Sequence, residues 1–324
     1  MKATNNKSLN RSGGQVGFAS VESLGAARLA WSFGRSTQMP PRRAVSERGP
    51  PRKRNGTRDP GDSQLADLIP AAAHELLHDA NELPCAQGKS GAVVRQFDHK
   101  ELGRVFLKVG AGPAAKGVRD EASRVTWASQ FGWIRAPRYL SSGSNGSEAW
   151  LLMTGVPGQP HSSGGLAPSE IAVAAGRAVA SLHALPIDRC PFDQRLCTRL
   201  EYVRGRIDAG LVSEVDGSTS DGITEPSVAF ARLLGMVPKN EDLVVSHCDL
   251  YLHNLLFSAD GVAGIIDLGW LGVSDRHIDL ALLRRSLQRD FGEDLSRSLL
   301  EGYGSKERID ERRLEFYALL DQFM

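Results

Sequence analysis

Three polar residues in the C-terminal half of the sequence have types and spacings that suit a bound cation and a proton acceptor. Asp249 and Asn254 are separated by four residues, and Asp267 follows further on. Between them, Asp260-Gly261 lies between two apolar runs and predicts a hairpin that returns Asp267 to Asn254. Carboxylate and amide oxygens are hard ligands that Mg²⁺ takes together with phosphates and water. The sequence therefore predicts a magnesium site beside a second carboxylate, Asp249.

The same spacing is typical of kinases, in which H-R-D-x-x-x-x-N precedes D-F-G. Here the pattern reads His247-Cys248-Asp249, then Asn254, then Asp267-Leu268-Gly269. Asp249 is the candidate catalytic base for an attacking hydroxyl, and Asn254 and Asp267 are the candidate Mg²⁺ ligands. We interpret His247 as a structural residue that hydrogen-bonds backbone. Each residue alone could be a turn or cap residue, but their joint spacing favours a phosphotransferase site.

The nucleotide is expected to bind upstream of this centre. Lys108 lies on a predicted strand and Glu121 on the helix after it, which is the order of the pair that kinases use to hold α- and β-phosphates. The turn that contains Ser90 could cover the phosphates with backbone N–H groups and its hydroxyl. We expect the adenine to lie against the connector that contains Met153 and Val156.

The elements that must position these residues change in character along the chain. Strand patterns come first and helical patterns dominate from about residue 167, apart from the hairpin at 255–267, so we predict an α+β fold with two lobes. The predicted regions are a disordered basic extension (1–62), a nucleotide-binding N-lobe with an antiparallel sheet and a helix (63–155), and a larger, mainly helical C-lobe for catalysis and substrate (156–324). The specific upstream predictions are helix at 65–69 and 73–77, paired strands at 92–97 and 104–109, helix at 117–131 and a buried strand at 150–153.

Composition bounds the function. Hydrophobic residues make up 41% of the chain and charged residues 24%, which is ordinary for a globular protein. No apolar run is long enough to span a bilayer, and four dispersed cysteines fit a reducing cytoplasm. Residues 1–60 hold twelve Lys and Arg against three acids, a surplus of nine positive charges, which leaves about minus eight for the rest of a chain whose net charge is +1. An acidic body favours a cationic or metal-bound partner over nucleic acid.

Several runs, one leading into the central pattern and others beyond it, carry a family resemblance. They are Asp242–Asp249, Leu271-Gly272-Val273-Ser274-Asp275-Arg276, and the ending Phe316-Tyr317-Ala318-Leu319-Leu320-Asp321. With them, the region from about Pro84 to Met324 resembles the aminoglycoside 3'-phosphotransferases. The resemblance implies ATP and Mg²⁺ as cofactors, and transfer of the γ-phosphate to the 3'-hydroxyl of an aminoglycoside, which gives antibiotic resistance. We expect a cytoplasmic enzyme, monomeric or weakly dimeric, that binds a small molecule and neither a membrane nor nucleic acid.

The resemblance also assigns a surface for the acceptor. Family members bind the polycationic drug with acidic side chains and the C-terminal carboxylate, and the matching residues here are Asp216, Asp290, Asp321 and Met324. Cys248 and His253 stand where the family usually has Gly and Pro. Four further positions replace a charged residue of the family, an Arg at the first and acids at the other three. They are Trp270, Ser286, Arg289 and Gln322.

Other functions remain as alternatives. A protein kinase is disfavoured because Asp267 is followed within twelve residues by the helical run that starts at Asp279, which leaves no room for a peptide-docking segment. A kinase of another small hydroxylated metabolite or antibiotic is consistent with the altered acceptor residues. A non-catalytic nucleotide-binding regulator is a third reading. The basic leader resembles a transit peptide or a nucleic-acid-binding arm, and it could equally be dispensable.

Overall fold

The computed structural model of the chain describes residues from Ala71 onward, and its first helix, Ala71–Leu77, confirms the helix predicted at 73–77. The leader at 1–62, the helix predicted at 65–69 and the turn that contains Ser90 lie outside the described residues. The described ranges are 71–84, 91–131, 135–163, 165–213, 215–216, 223–304 and 309–324.

An antiparallel sheet of five strands forms the first part of the described chain. Helix α1 (Ala71–Leu77) precedes it, and its strands are β1 (Ala80–Leu83), β2 (Val93–His99), β3 (Gly103–Ala111), β4 (Tyr139–Ser144) and β5 (Glu148–Thr154). They pair in the order β1-β2-β3-β5-β4. The predicted strand pair is confirmed as β2 and β3, which place Val94 opposite Lys108, and the predicted strand at 150–153 is confirmed as β5.

Helix α2 (Pro113–Ala128) crosses this sheet and confirms the helix predicted at 117–131. Pro113 at its first turn needs no N–H partner and has a φ that suits a helix. Three residues on one face of the helix, Val118, Val125 and Ala128, are each at most 2% exposed. Their burial against the sheet stabilises the helix, at roughly 1.5–3 kcal/mol for a valine-sized side chain.

Helices dominate the rest of the described chain. They are α3 (Pro168–His183), α4 (Leu196–Asp208), α5 (Pro226–Gly235), α6 (His277–Phe291), α7 (Ser296–Tyr303) and α8 (Glu311–Asp321). Short antiparallel pairs lie between them, formed by β6 (Val215–Asp216) with β7 (Ile223–Thr224), β8 (Leu243–Ser246) with β11 (Gly272–Asp275), and β9 (Leu255–Ser258) with β10 (Gly261–Ile265). The hairpin predicted at 255–267 is β9–β10. The sequence predicts no other strand pair in this region, whereas β8–β11 and β6–β7 also form.

The architecture is therefore the two-lobed, kinase-like α+β fold that the sequence predicts. One apolar core runs from α2 through α3 and the β9–β10 hairpin to α6, and it includes fully buried Val179, Leu255 and Leu282. A smaller core lies under the sheet, around Leu107 and Leu152. No helix in the described part of the chain combines the length and apolar character needed to cross a bilayer.

Candidate active site

The β9–β10 hairpin brings Asn254 and Asp267 together, as the sequence predicts. Leu255 pairs with Ile265, and the Ile266 N–H donates to the Asn254 carbonyl at 3.0 Å. Asn254 is 2% exposed, and its Nδ2 donates to the Asp249 carbonyl at 2.8 Å. This bond uses the amide nitrogen of Asn254 and keeps its oxygen for another ligand.

Lys108 connects the two parts of the site. Its Nζ lies 2.6 Å from Glu121 Oε2 and 3.1 Å from Asp267 Oδ1. Lys108 and Glu121 are 8% and 2% exposed. Burial alone lowers the pKa of Lys108, but the charges of Glu121 and Asp267 outweigh it and raise the pKa. The lysine is therefore held as a cation whose position is set by one carboxylate from α2 and another from the turn after β10.

Asp267 begins a 3₁₀ turn, Leu268–Trp270, and is itself in the left-handed region, with φ 61° and ψ 62°. Asp is among the few residues that adopt this conformation as single residues. Burial raises its pKa, but the charge and hydrogen bond of Lys108 outweigh that and lower it. The side chain remains 44% exposed, so an ionised carboxylate at this turn is accessible to a cation.

Asp249 has the opposite electrostatic environment. Burial raises the pKa of its carboxyl to about 6; the charges of Asp267 and Asp321 add to this, and His247 opposes it. Among the described residues, no N–H or O–H group donates to the Asp249 carboxylate. A carboxylate with a raised pKa and no internal partner can accept a proton from a hydroxyl that binds beside it.

The loop that carries Asp249 is held by a buried residue that the sequence reasoning did not single out. Asp279, near the start of α6, is 0% exposed and accepts the backbone N–H groups of His247 and Cys248, both at 2.8 Å. His183 Nε2 lies 3.1 Å from the same carboxylate. Cys248 has φ 64°, which costs an ordinary L-residue roughly 1–2 kcal/mol. The two hydrogen bonds to Asp279 therefore hold a loop conformation that the residue itself disfavours.

Two further bonds join this loop to its surroundings. His247 Nε2 lies 3.0 Å from the Ile266 carbonyl, so His247 contacts backbone as predicted and links the loop to the residue before Asp267. Ser286 is 0% exposed, and its hydroxyl accepts the Leu252 N–H at 2.9 Å. Ser286 thus supports the turn before Asn254, which explains a small hydroxyl at a position where the family usually has an acid.

The connector residues lie beside the hairpin. Met153 is 9% exposed at the end of β5, where it pairs with Phe106. Val156 packs on β10 so closely that a Cβ on Gly264 would lie 2.0 Å from Val156 Cγ1. Glycine at 264 is therefore required for the connector to lie against the hairpin that carries Asn254. Their contact with adenine remains a prediction.

Two of the residues predicted to bind the acceptor, Asp321 and Asp290, form contacts within the chain. Asp321 ends α8 and accepts a short hydrogen bond from the Tyr251 hydroxyl, with Arg285 Nη1 3.5 Å away, and burial raises the pKa of Asp321. Asp290 lies on α6, where Arg289 Nε is 2.7 Å from its carboxylate. Both acids already have cationic or hydroxyl partners within the chain.

The other two residues predicted to bind the acceptor are Met324 and Asp216. Met324 is partly buried against the core, and its N–H donates to the Asp321 carbonyl at 3.0 Å, so the chain end lies next to Asp321. Asp216 lies on β6, and its side chain is outside the described part of the structure. The substrate roles of all four residues remain predictions.

Trp270, where the family usually has Arg, forms an aromatic contact near the turn. Its ring lies 5.0 Å from that of Tyr202 in an edge arrangement, and the Arg199 guanidinium lies 5.7 Å from its centroid. Arg199 is 1% exposed and its charge lowers the pKa of Asp249 and of Asp321. Trp270 thus places an aromatic ring where the family usually has Arg. The ring lies against Arg199, whose charge acts on both Asp249 and Asp321.

The oxygen atoms of Asn254 and Asp267 suit Mg²⁺, as the corresponding residues do in kinases. Among the described residues, no group of three or more His, Cys, Asp or Glu side chains is arranged to hold a metal ion. Mg²⁺ usually takes one or two protein oxygens and completes its shell with phosphates and water. Asn254 and Asp267, one amide and one accessible carboxylate, match that smaller requirement.

Lys108→Met is expected to raise the KM for ATP and to lower the unfolding temperature, because Glu121 then remains buried without its partner. Losing a charge-assisted contact to phosphate should raise the KM for ATP by about 10- to 150-fold, because such bonds contribute roughly 1.5–3 kcal/mol. Unpaired Glu121 would also lower the unfolding temperature until it takes up a proton. Steady-state kinetics and thermal unfolding measure the two effects.

The double variant Lys108→Met/Glu121→Gln separates them. It removes the unpaired buried charge, so we expect it to recover stability without recovering the KM for ATP. Recovery of both would contradict a phosphate-binding role for Lys108.

Comparison with known proteins identifies relatives that cover most of the chain. A sequence profile of the phosphotransferase enzyme family matches residues 83–317. An aminoglycoside 3'-phosphotransferase of Streptomyces fradiae is 34% identical over 275 residues, which cover 81% of this chain and 99% of that protein. The crystal structure of an aminoglycoside-3'-phosphotransferase of type VIII has a TM-score of 0.68 and 34% identity, over 76% of this chain and 94% of that one. An aminoglycoside phosphotransferase from Streptomyces rimosus, solved with ADP and streptomycin, has a TM-score of 0.64 and 27% identity, over 78% and 97% of the two chains.

Proposed function

This chain belongs to the phosphotransferase enzyme family, and from that premise we propose that it transfers the γ-phosphate of ATP to a hydroxyl group of an aminoglycoside. The observation that carries the proposal is the convergence of Lys108 and Asp267, 3.1 Å apart, beside Asn254 and the Asp249 loop. Phosphoryl transfer requires mainly positioning and charge neutralisation, and these residues supply both. Such a reaction modifies the antibiotic and gives resistance.

Each side chain has a role in this proposal. Asp249 accepts or orients the proton of the acceptor hydroxyl as it attacks. Lys108, oriented by Glu121, donates to the α- and β-phosphates. Asn254 and Asp267 hold Mg²⁺, which neutralises charge on the phosphates when bound. The N-lobe (63–155) thus serves the nucleotide, with Met153 at its end and Val156 of the connector at the adenine. The C-lobe (156–324) serves chemistry and the acceptor.

The acceptor assignment follows the relatives. Those from Streptomyces fradiae and of type VIII are named for the 3'-hydroxyl of aminoglycosides, and both are 34% identical to this chain. We assign this chain the same hydroxyl, with Asp216, Asp290, Asp321 and the end of the chain at Met324 facing the amines of the drug. We also propose that the reaction takes place in the cytoplasm, where ATP is available.

A second acceptor class is favoured by one observation. Asp290 is paired with Arg289 and Asp321 with Tyr251 and Arg285, so two of the acids assigned to the acceptor already have partners within the chain. Trp270 adds an apolar ring near the turn. A less cationic hydroxylated antibiotic or metabolite would suit such a surface.

A substrate panel tests both. Purified protein with Mg²⁺ and ATP should consume ATP in the presence of an aminoglycoside that has a 3'-hydroxyl, and its 3'-deoxy analogue should be inactive because the attacking group is missing. Equal turnover of the 3'-deoxy compound would contradict the assigned hydroxyl, and streptomycin in the panel tests for another position. Turnover of neutral hydroxylated compounds alone would replace the aminoglycoside assignment by the second class. ADP release in a coupled assay is the measurement.

A further inference from the structure

Helix α2 carries a second buried charged residue that the proposed mechanism does not use. Arg124 lies one turn after Glu121 and is 8% exposed. Its Nε donates to the Leu271 carbonyl at 2.7 Å, and its Nη1 donates to the Asp120 carbonyl at 3.0 Å. The guanidinium also lies 4.9 Å from the ring centroid of Phe192.

Leu271 is the far end of the turn that Asp267 begins. The turn closes through the Leu271 N–H, which donates to the Leu268 carbonyl at 3.0 Å, and β11 starts at the next residue. Lys108 holds the near end of the turn through Asp267 at 3.1 Å. The turn is therefore fixed at both ends, at one end by Lys108 and at the other by Arg124.

These contacts form a closed ring. Glu121 and Arg124 belong to one helix; Glu121 fixes Lys108, Lys108 contacts Asp267, and the short turn from Asp267 leads back to Leu271 and Arg124. A helix is rigid over one turn, so displacement of α2 moves both contacts together. The carboxylate of Asp267 thus keeps a constant relation to the Lys108–Glu121 pair.

The residue type agrees with a positioning role. Among the described residues no carboxylate forms a salt bridge with Arg124, so a buried cation is held by carbonyl groups and a ring only. An apolar side chain of similar volume would often be as stable in such a place. The guanidinium, in contrast, donates to two separate carbonyls from a fixed planar group that stacks on an aromatic face, whereas a Lys ammonium is a compact charge on a flexible stem.

We propose that Arg124 is a positioning residue for phosphoryl transfer, which holds the Asp267 turn in register with the Lys108–Glu121 pair through the Leu271 carbonyl. The expected effect on catalysis rests on the proposed function. Its structural consequence, order in the turn 268–271, is measurable without any substrate.

The same helix supplies a matched control. Trp127 Nε1 donates to the Arg189 carbonyl at 2.8 Å, so it anchors α2 to a different part of the C-lobe without contacting the Asp267 turn. Trp127→Phe keeps an aromatic ring and removes that bond. Arg124→Met keeps the apolar length of the side chain and removes the bond to Leu271.

Hydrogen exchange of the ligand-free protein is the first readout. In Arg124→Met we expect the Leu271 amide to exchange about tenfold faster or more, because its turn loses one anchor, whereas Trp127→Phe should leave it at the wild-type rate. Wild-type exchange at Leu271 in Arg124→Met would overturn the proposal. Equal acceleration in both variants would also overturn it, because it would show a general loosening of α2.

Kinetics give the second readout. In Arg124→Met a displaced Asp267 should lower kcat by roughly ten- to a hundredfold, because a displacement of about 1 Å can lower a rate by about a hundredfold. Trp127→Phe should retain the wild-type kcat. Unchanged kcat in Arg124→Met would overturn the catalytic part. If the wild-type protein turns over no aminoglycoside, the proposed function fails, and the exchange result still decides whether Arg124 positions the turn.

Discussion

Replacing Asp249 by Asn is expected to abolish phosphoryl transfer while leaving the protein folded and able to bind nucleotide. An amide cannot take the proton of the acceptor hydroxyl, and general-base catalysis contributes about 10²- to 10⁴-fold to a rate. We therefore expect kcat to fall by at least about 10²-fold with little change in the Kd for ADP. Coupled ADP-release kinetics and an ADP titration measure the two quantities.

The stability of this variant should change in the opposite sense from its activity. Burial raises the pKa of Asp249 from the ordinary 3.8 to about 6, so the folded state binds this proton more tightly than the unfolded state. Stability from Asp249 is then fully present below the unfolded pKa and is lost as pH rises towards about 6. Asn carries no charge to bury, so Asp249→Asn should unfold at the same temperature as the wild type or a higher one at pH 8.

The control is Asp260→Asn, which removes an exposed carboxylate from the turn of the same hairpin. It should change neither kcat nor the unfolding temperature beyond the small effect of a surface substitution, within about 0.5 kcal/mol. A drop of many degrees in Asp249→Asn would mean that the lost activity reflects a damaged loop. Retained turnover would remove Asp249 from the mechanism.

The part of the site that the sequence predicts depends on short-range structure. Asn254 and Asp267 flank one hairpin whose turn is marked by Asp260-Gly261, so their approach follows from a local turn and two apolar strands. Helix α2 follows from apolar periodicity in the same way. Lys108 and Glu121 meet at 2.6 Å because they lie on a strand and on the helix that follows it, and both elements are predicted from the sequence.

What the sequence did not predict depends on contacts between distant segments. Asp279 reads as an ordinary helix residue, and nothing in the spacing indicates that it accepts the His247 and Cys248 N–H groups. The β8–β11 pair joins two four-residue strands on either side of the whole hairpin, and each strand alone is too short to specify a partner. Arg124 and Leu271 likewise meet only through the packing of α2 on the C-lobe.

The acceptor side shows the same limit. Ser286 was interpreted as a lost acidic position in the drug-binding surface, but it is buried and holds the Leu252 N–H. Asp290 and Asp321 occur where the resemblance expects acids, yet their neighbours Arg289 and Tyr251 engage them. The sequence is enough to match residue types to the family pattern. The partners of each side chain are known only from the tertiary structure.

Asp279→Ala is expected to have the largest effect on stability among the residues near the site. The substitution leaves two backbone N–H groups and His183 without their carboxylate in a site that is 0% exposed. Removing one partner from such a buried charged network costs on the order of 3–5 kcal/mol. For a folded region of this size the unfolding temperature should fall by roughly 10 °C, at about 2–4 °C per kcal/mol. Thermal unfolding followed by circular dichroism measures the shift.

The pH dependence of that loss identifies its origin. Burial raises the pKa of Asp279, but the hydrogen bond and charge of His183 and the contacts of His247 outweigh it, and the net pKa is lowered. The stability that Asp279 provides is therefore present above its ordinary pKa of 3.8 and is lost as pH falls through the lower folded value. Asp279→Ala should thus show a shallower acid limb in its unfolding curve than the wild type.

A matched carboxylate distinguishes this role from general helix capping. Asp294 is exposed and accepts one backbone N–H, that of Ser296, at 2.9 Å. Asp294→Ala should cost about 1 kcal/mol, as for a lost cap, and leave kcat unchanged. Asp279→Ala should also lower kcat at temperatures below its own unfolding transition, because Cys248 at φ 64° relaxes once its N–H is released and the adjacent Asp249 carboxylate moves with it. An Asp279→Ala protein with wild-type kcat and a wild-type unfolding temperature would show that the loop holds its conformation without the α6 carboxylate.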